Sequence, residues 1–243
     1  MSSDLNPYIS VDCVIFGFDE LKLKVLLIER SLKQKNKLVK DLKLPGDLIM
    51  EDEGLDEAAY RVLSDLTGLN DIFLKQFYTF GDPHRINDLK DINWLSETSR
   101  LSIKRVVTVA YYSLVNIQKV TLNKDIKYHP RWTDINNIPD LPFDHHEIIV
   151  TALENLKNKL PDEPIVFELL PKKFTLRQLQ VLYEQILHVT LDNRNFRKKI
   201  LQMGFIQRLD EKEKNVSHKP AHFYRFNKRE YQNYRKRLNI INK

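Results

Sequence analysis

At 243 residues, 42% hydrophobic and 30% charged, the chain can bury two ordinary cores and reads as a soluble globular protein. Neither a run of eighteen apolar residues nor a basic-then-apolar start is present, and the one cysteine, Cys13, excludes an intramolecular disulfide framework, so a cytoplasmic protein without a membrane partner is expected. Charge is divided along the chain, with 18 Lys+Arg against 9 Asp+Glu in residues 161–243 but 21 against 24 in residues 1–160, which points to a polyanionic partner for the C-terminal part.

Residues 8–18 and 23–28 are apolar, β-branched runs that predict a hairpin of two buried strands, and Cys13 falls inside the first as a core thiol. The basic segment 30–43 reads as an exposed loop. Pro45 and Gly46 then break regular structure. Glu51, Asp52, Glu53, Asp56 and Glu57 suit a helix N-terminus, Gly68 suits its C-cap, and Leu55, Ala58, Ala59, Val62, Leu63 and Leu66 between them recur at helical spacing. A strand over 72–80 follows, then a polar connection over 81–104 that is long for a compact domain and is either functional or disordered. Residues 105–115 give the strongest strand signal, and a helix over about 144–159, capped by Asp144, closes an α/β sandwich.

Leu160-Pro161-Asp162-Glu163-Pro164 marks a boundary. Beyond it Thr175 caps a helix whose apolar face carries Leu176, Leu179, Leu182, Tyr183, Ile186 and Leu187. A short link leads to Asp192, which caps a second helix over 193–203 with Phe196, Ile200 and Leu201 inward and basic residues outward. Residues 205–209 and 221–226 predict a hairpin with a lysine-bearing tip, and a basic tail runs from 228 to 237. Helix, turn, helix and hairpin on a basic segment predict a winged helix-turn-helix for double-stranded DNA. Arg194, Asn195 and Lys198 are the candidate base readers, because Arg and Asn offer paired hydrogen bonds to base edges. Arg197 and Lys199 are candidate phosphate contacts, with Arg177 and Lys219 flanking them. A merely solvated basic surface is the plainer alternative.

Residues 44–69 resemble the Nudix box, in which a loop and helix carry glutamates for a divalent cation. With Arg61, Leu63, Gly68 and Leu69 as anchors, the first glutamate matches Glu53, the leading glycine falls on Asp47, and the three downstream glutamate positions hold Val62, Asp65 and Leu66. The box (Glu53, Arg61, Asp65) is thus degenerate, and no catalytic residue, metal or cofactor is expected. Phe80-Gly81-Asp82-Pro83, residues 105–115 and Arg131-Trp132 also look like Nudix positions flanking a substrate cleft. Asp82, His84, Arg85, Arg105, Trp132, Phe143 and His145 are the candidate effector-binding residues. Core packing is the equal alternative for Trp132, and the adjacent His145 and His146 diverge on a helix too much to suggest a metal.

Three C-terminal stretches, 168–180, 191–199 and 220–226, are similar to Nudix-related transcriptional regulators, a family with ADP-ribose-responsive repressors of NAD metabolism and arabinose-type pentose regulators. The resemblance implies an α/β fold: a Nudix α/β/α sandwich over 1–160 that senses a small metabolite, followed by a winged helix-turn-helix over 161–243. It further implies a homodimer on an inverted-repeat operator and an effector that is a pentose, slightly preferred, or an ADP-ribose-like nucleotide. The alternative is a Mg-dependent hydrolase of ADP-ribose or a related nucleoside diphosphate derivative, using displaced carboxylates.

Overall fold

The computed structural model describes residues 4–19, 21–34, 37–123, 127–160, 163–217 and 219–241. The first part runs β1 (Leu5–Phe18), β2 (Leu23–Gln34), β3 (Lys37–Lys43), β4 (Gly46–Met50), α1 (Leu55–Thr67), β5 (Lys75–Phe80), α2 (Leu89–Ser99), β6 (Val107–Asn116), β7 (Arg131–Asp134) and α3 (His145–Lys159). The second part runs α4 (Val166–Leu169), β8 (Phe174–Thr175), α5 (Leu176–Leu187), α6 (Asn193–Gln202), β9 (Ile206–Lys212), β10 (His222–Phe226) and α7 (Lys228–Ile241).

Apolar residues fill β1 on both faces, and a strand of that kind needs a layer on each side. The first seven strands form one mixed sheet ordered β3-β2-β1-β6-β5, with β4 on β1 and β7 on β2; β1 and β6 run parallel from Ile9/Val107 to Phe18/Asn116. On one face Val11, Cys13 and Ile15 pack with Ala58, Ala59, Val62, Leu63 and Leu66 of α1. On the other, Val14, Phe16 and Phe18 share a cluster with Ile148, Ala152 and Leu156 of α3, and that cluster continues through Val166 and Leu169 of α4 into Leu179, Leu182 and Ile186 of α5. Helix α4 packs on β1 and β6 while α5 packs on α3 and β2, so the C-terminal module helps to roof the sheet and the two parts share one core.

The structure corrects or completes several expectations. Residues 30–34 and 37–43 are not an exposed loop: β2 and β3 pair from Ile28/Lys43 to Gln34/Lys37, and Arg30 and Lys43 are buried. Burial is tolerated because Arg30 pairs with Asp41 and Asp91 and Lys43 donates to the Gly46 carbonyl. The 81–104 connection contains α2, capped by Asp88, whose side chain accepts from the Lys90 N–H. Asp144 precedes α3 but makes no capping hydrogen bond, because its carboxylate is taken by Arg85. The basic tail lies on α7, whose Tyr231 and Tyr234 rings sit 5.4 and 5.6 Å from Phe205.

The C-terminal module follows its caps closely. Thr175 accepts from the Gln178 N–H while Gln178 accepts from the Thr175 N–H, a closed capping box at the start of α5. Asp192 accepts from the Asn195 N–H at the start of α6, and Gly204 at φ +77° turns the chain after it. The turn between α5 and α6 is fixed by the buried Gln180, whose amide donates to Glu184 and to the Leu191 carbonyl. Strands β8, β10 and β9 form the wing sheet. Leu201, expected inward, is exposed, because it stands about 100° round the helix from Ile200, off the face that Phe196 and Ile200 bury.

Candidate effector pocket and nucleic-acid interface

Ser10 and Asp12 lie on the same face of β1 as Val14 and Phe16, but α3 begins only at His145, so this end of the sheet is roofed by α2 instead. A small cavity of about 40 Å³ results, walled by Asp12, Lys43, Arg85, Trp94, Phe143 and His145 among others, beside a groove of about 680 Å³. Lys43 donates from Nζ to the Gly46 carbonyl at 2.5 Å. The Leu44 N–H donates to His145 Nδ1 at 3.1 Å, which leaves the proton of the neutral ring on Nε2, 3.5 Å from Asp12 Oδ1. Gly46 is required here, since a Cβ would stand 1.8 Å from Asp12 Oδ1.

Burial dominates the titration of this cluster. It raises the Asp12 carboxyl to about 6, although the charges of Lys43 and Arg85 pull the other way. Burial also lowers the Lys43 ammonium, with Asp12 and Asp47 opposing. His145 is driven well below the usual histidine value by burial and then by Lys43, Arg85 and Arg30, so it is neutral at pH 7.

Behind the cavity wall stands a second polar cluster. Arg30 donates to Asp41 at 2.7 and 2.8 Å and to Asp91 Oδ1 at 2.6 Å, with its guanidinium carbon 5.2 Å from the Trp94 ring centroid and 5.3 Å from that of Phe143. Asp91 Oδ2 accepts from the Phe143 N–H at 2.9 Å, and Arg85 donates to both oxygens of Asp144 at 2.8 and 2.6 Å. Cations with aromatic walls are suited to an anionic ligand bearing a flat ring or sugar.

Of the sequence-predicted effector residues, Arg85, Phe143 and His145 line this cavity. Asp82 and His84 line an adjoining open groove that shares Arg85 and Phe143 with it. Two are not brought in. Trp132 is on the opposite, α1-side face, over Gly17, because its strand position pairs it with Leu26. Arg105 is exposed and donates to the Gly81 carbonyl at 3.1 Å. Sequence reasoning missed Asp12, Lys43 and Trp94; an aspartate inside an otherwise apolar strand was the one available signal.

The box residues have other occupations. Arg61 binds Glu53 through Nε at 2.8 Å and through Nη2, holding that carboxyl below the usual range. Val62 and Leu66 are buried, Asp56 accepts from the Tyr111 hydroxyl at 2.6 Å, and Glu57 accepts from the Gly54 N–H. Among the described residues no group of three or more His, Cys, Asp or Glu side chains is placed to hold a metal.

On the C-terminal module, Arg194, Asn195, Arg197, Lys198 and Lys199 are all exposed while Phe196 and Ile200 anchor α6 from beneath. Arg177 on the first turn of α5, Arg197 on α6 and Lys219 near the wing tip line one groove. No helix among the described residues is long and apolar enough to cross a membrane.

Fold and site together define a DNA-binding transcriptional regulator in which a Nudix-type sandwich carries a winged helix. Residues 166–226 match the NrtR DNA-binding winged helix domain. The chain is 30% identical over 231 residues to the ADPR responsive transcriptional repressor NtrR of Acinetobacter baylyi, covering 93% of this chain and 84% of that protein. It belongs to the NrtR family. NrtR of Shewanella oneidensis superposes with a TM-score of 0.64 at 26% identity, over 92% of this chain and 96% of that one. The same protein complexed with a 27mer DNA gives a TM-score of 0.60 at 25% identity, over 92% and 95% of the two chains.

Proposed function

We propose that this chain is an ADP-ribose-responsive repressor acting as a homodimer in the cytoplasm, with residues 1–160 sensing the effector and residues 161–243 holding an inverted-repeat operator. The observation that carries the reading is the set Lys43, Arg85, Trp94 and Phe143 around the small cavity and the adjoining groove of about 680 Å³, in a chain related to a repressor described as ADPR responsive. Cations suit a diphosphate, and the rings suit a base or sugar. The pentose preferred from the sequence has no support among the relatives and is set aside for ADP-ribose.

Arg194, Asn195 and Lys198 read bases, whereas Arg197, Lys199, Arg177 and Lys219 hold phosphates, on the strength of their exposure on one face or groove. Hydrolysis is not part of the function. The box does not fit a divalent cation, since Glu53 is committed to Arg61 and two of the expected ligand positions are aliphatic and buried. Calorimetric titration with ADP-ribose and with arabinose, together with a Mg²⁺ turnover assay, tests this: ADP-ribose should bind and survive intact. Binding of arabinose alone, or turnover lost on Glu53→Gln, would overturn the reading.

A further inference from the structure

The Asp91 carboxylate is buried and divides its two oxygens between different parts of the fold. Oδ1 takes Arg30 of β2 at 2.6 Å, and Oδ2 takes the backbone N–H of Phe143 at 2.9 Å. Asp91 belongs to α2, the roof of the cavity, while Phe143 stands two residues before α3. Phe143 is held at φ +56°, a conformation an aromatic residue rarely adopts without external restraint. One side chain therefore ties the roof, the sheet and the entry to α3 together.

What happens at Phe143 reaches the DNA-binding module by packing. Ile148, Ala152 and Leu156 of α3 share a cluster with Leu179, Leu182 and Ile186 of α5, and α5 presents α6 through the Gln180-braced turn. The Phe143 ring and Trp94 both line the cavity, so a ligand there touches the same groups that sandwich Arg30. A ligand that displaces either ring shifts the guanidinium they sandwich, and with it the Arg30–Asp91 bond. Weakening Arg30–Asp91 loosens the hold on the Phe143 amide and frees the start of α3 to relax.

We propose that Asp91 is the positioning residue that couples effector occupancy to the orientation of the winged helix, through Phe143 and α3. This rests on the ADP-ribose reading above. Asp41 supplies the control, since it also binds Arg30 but makes no hydrogen bond to Phe143.

The test uses the full chain, ADP-ribose as ligand, and a duplex selected from a random library by the wild-type protein. Wild type should lose at least tenfold in duplex affinity when saturated with ADP-ribose. Asp91→Asn should bind each partner alone within about threefold of wild type but show less than a twofold effect of one on the other, whereas Asp41→Asn keeps the full effect. Undiminished coupling in Asp91→Asn, or equal loss in Asp41→Asn, would sink the latch while leaving the effector reading intact. If wild type neither binds ADP-ribose nor responds to it, both fall. Should Asp91→Asn fail to fold, hydrogen exchange on wild type decides: ADP-ribose should speed exchange of the Phe143 amide several-fold, and an unchanged or slower rate overturns the proposal.

Discussion

Arg61 holds Glu53 with two donors and, from the same Nη2, reaches the Leu48 carbonyl at 3.2 Å. One guanidinium thus ties α1 to β4 and to the loop between them, and Glu53 itself accepts from the Met50 N–H. Where a hydrolase would use this segment to grip a cation, here it fastens a loop.

Both partners are mostly shielded from water, so Arg61→Ala should destabilise the fold by about 1–3 kcal/mol, the range for a charge-assisted bond whose partner is left unpaired. Glu53→Gln should cost less, and the double variant less than the sum of the two. Urea unfolding of the four proteins measures this. Additive costs would mean the pair is not coupled.

Acid should act on His145 and Asp12 in opposite directions. His145 is kept neutral in the fold, so below its unfolded value near 6.5 the unfolded chain takes up a proton that the native one refuses, and stability is lost as pH falls. Asp12, raised to about 6, takes up its proton earlier in the folded state, so its stabilising protonation is present at low pH and is lost as pH rises through about 6. Between pH 7.5 and 5, His145→Gln should therefore shrink the fall in melting temperature by about 4 °C or more, and Asp12→Asn should enlarge it. Differential scanning fluorimetry across that range gives the comparison.

Gly46→Ala should be among the costliest single-atom additions in the chain. The new methyl would meet the Asp12 carboxylate and the Val11 carbonyl, and neither can withdraw from a buried, strand-paired position. A loss of about 1–3 kcal/mol in unfolding free energy, with ADP-ribose binding weakened at least tenfold, is expected by urea denaturation and calorimetry. Unchanged ligand affinity would detach Asp12 from the site.

On DNA the two kinds of arginine should separate. Arg194→Ala should reduce preference for a selected duplex over random sequence by about 1–3 kcal/mol. Arg197→Ala should weaken both alike and lower the slope of log affinity against log salt by about 0.9. Fluorescence anisotropy at several salt concentrations distinguishes them, and identical effects would refute the division into readers and phosphate contacts.

The C-terminal module was the more legible part, for a physical reason. Its helices are short and amphipathic, and local side-chain caps at Thr175 and Asp192 mark their starts. The cavity was half legible. Arg85, Phe143 and His145 stand beside strand or helix ends, where a pocket is expected, whereas Trp94 sits on a helix concealed in a polar connection. Arg30 and Lys43 misled because charge was taken for exposure, and only tertiary partners 11 to 61 residues away, Asp41 and Asp91 for Arg30, make burial tolerable. Trp132 failed through facing: its strand position is right, but strand alternation sends the ring to the other side of the sheet.

Because Val14 and Phe16 of the sheet, Leu179 and Leu182 of α5 and Phe196 and Ile200 of α6 belong to one apolar cluster, the winged helix is not a bead swinging on a string. It is bolted to the sensor like the arm of a balance. A displacement of an ångström or so at the pivot, multiplied by the distance to the groove-facing tip, is the scale of signal such a machine can send, and grip on two half-sites about 34–36 Å apart would register it.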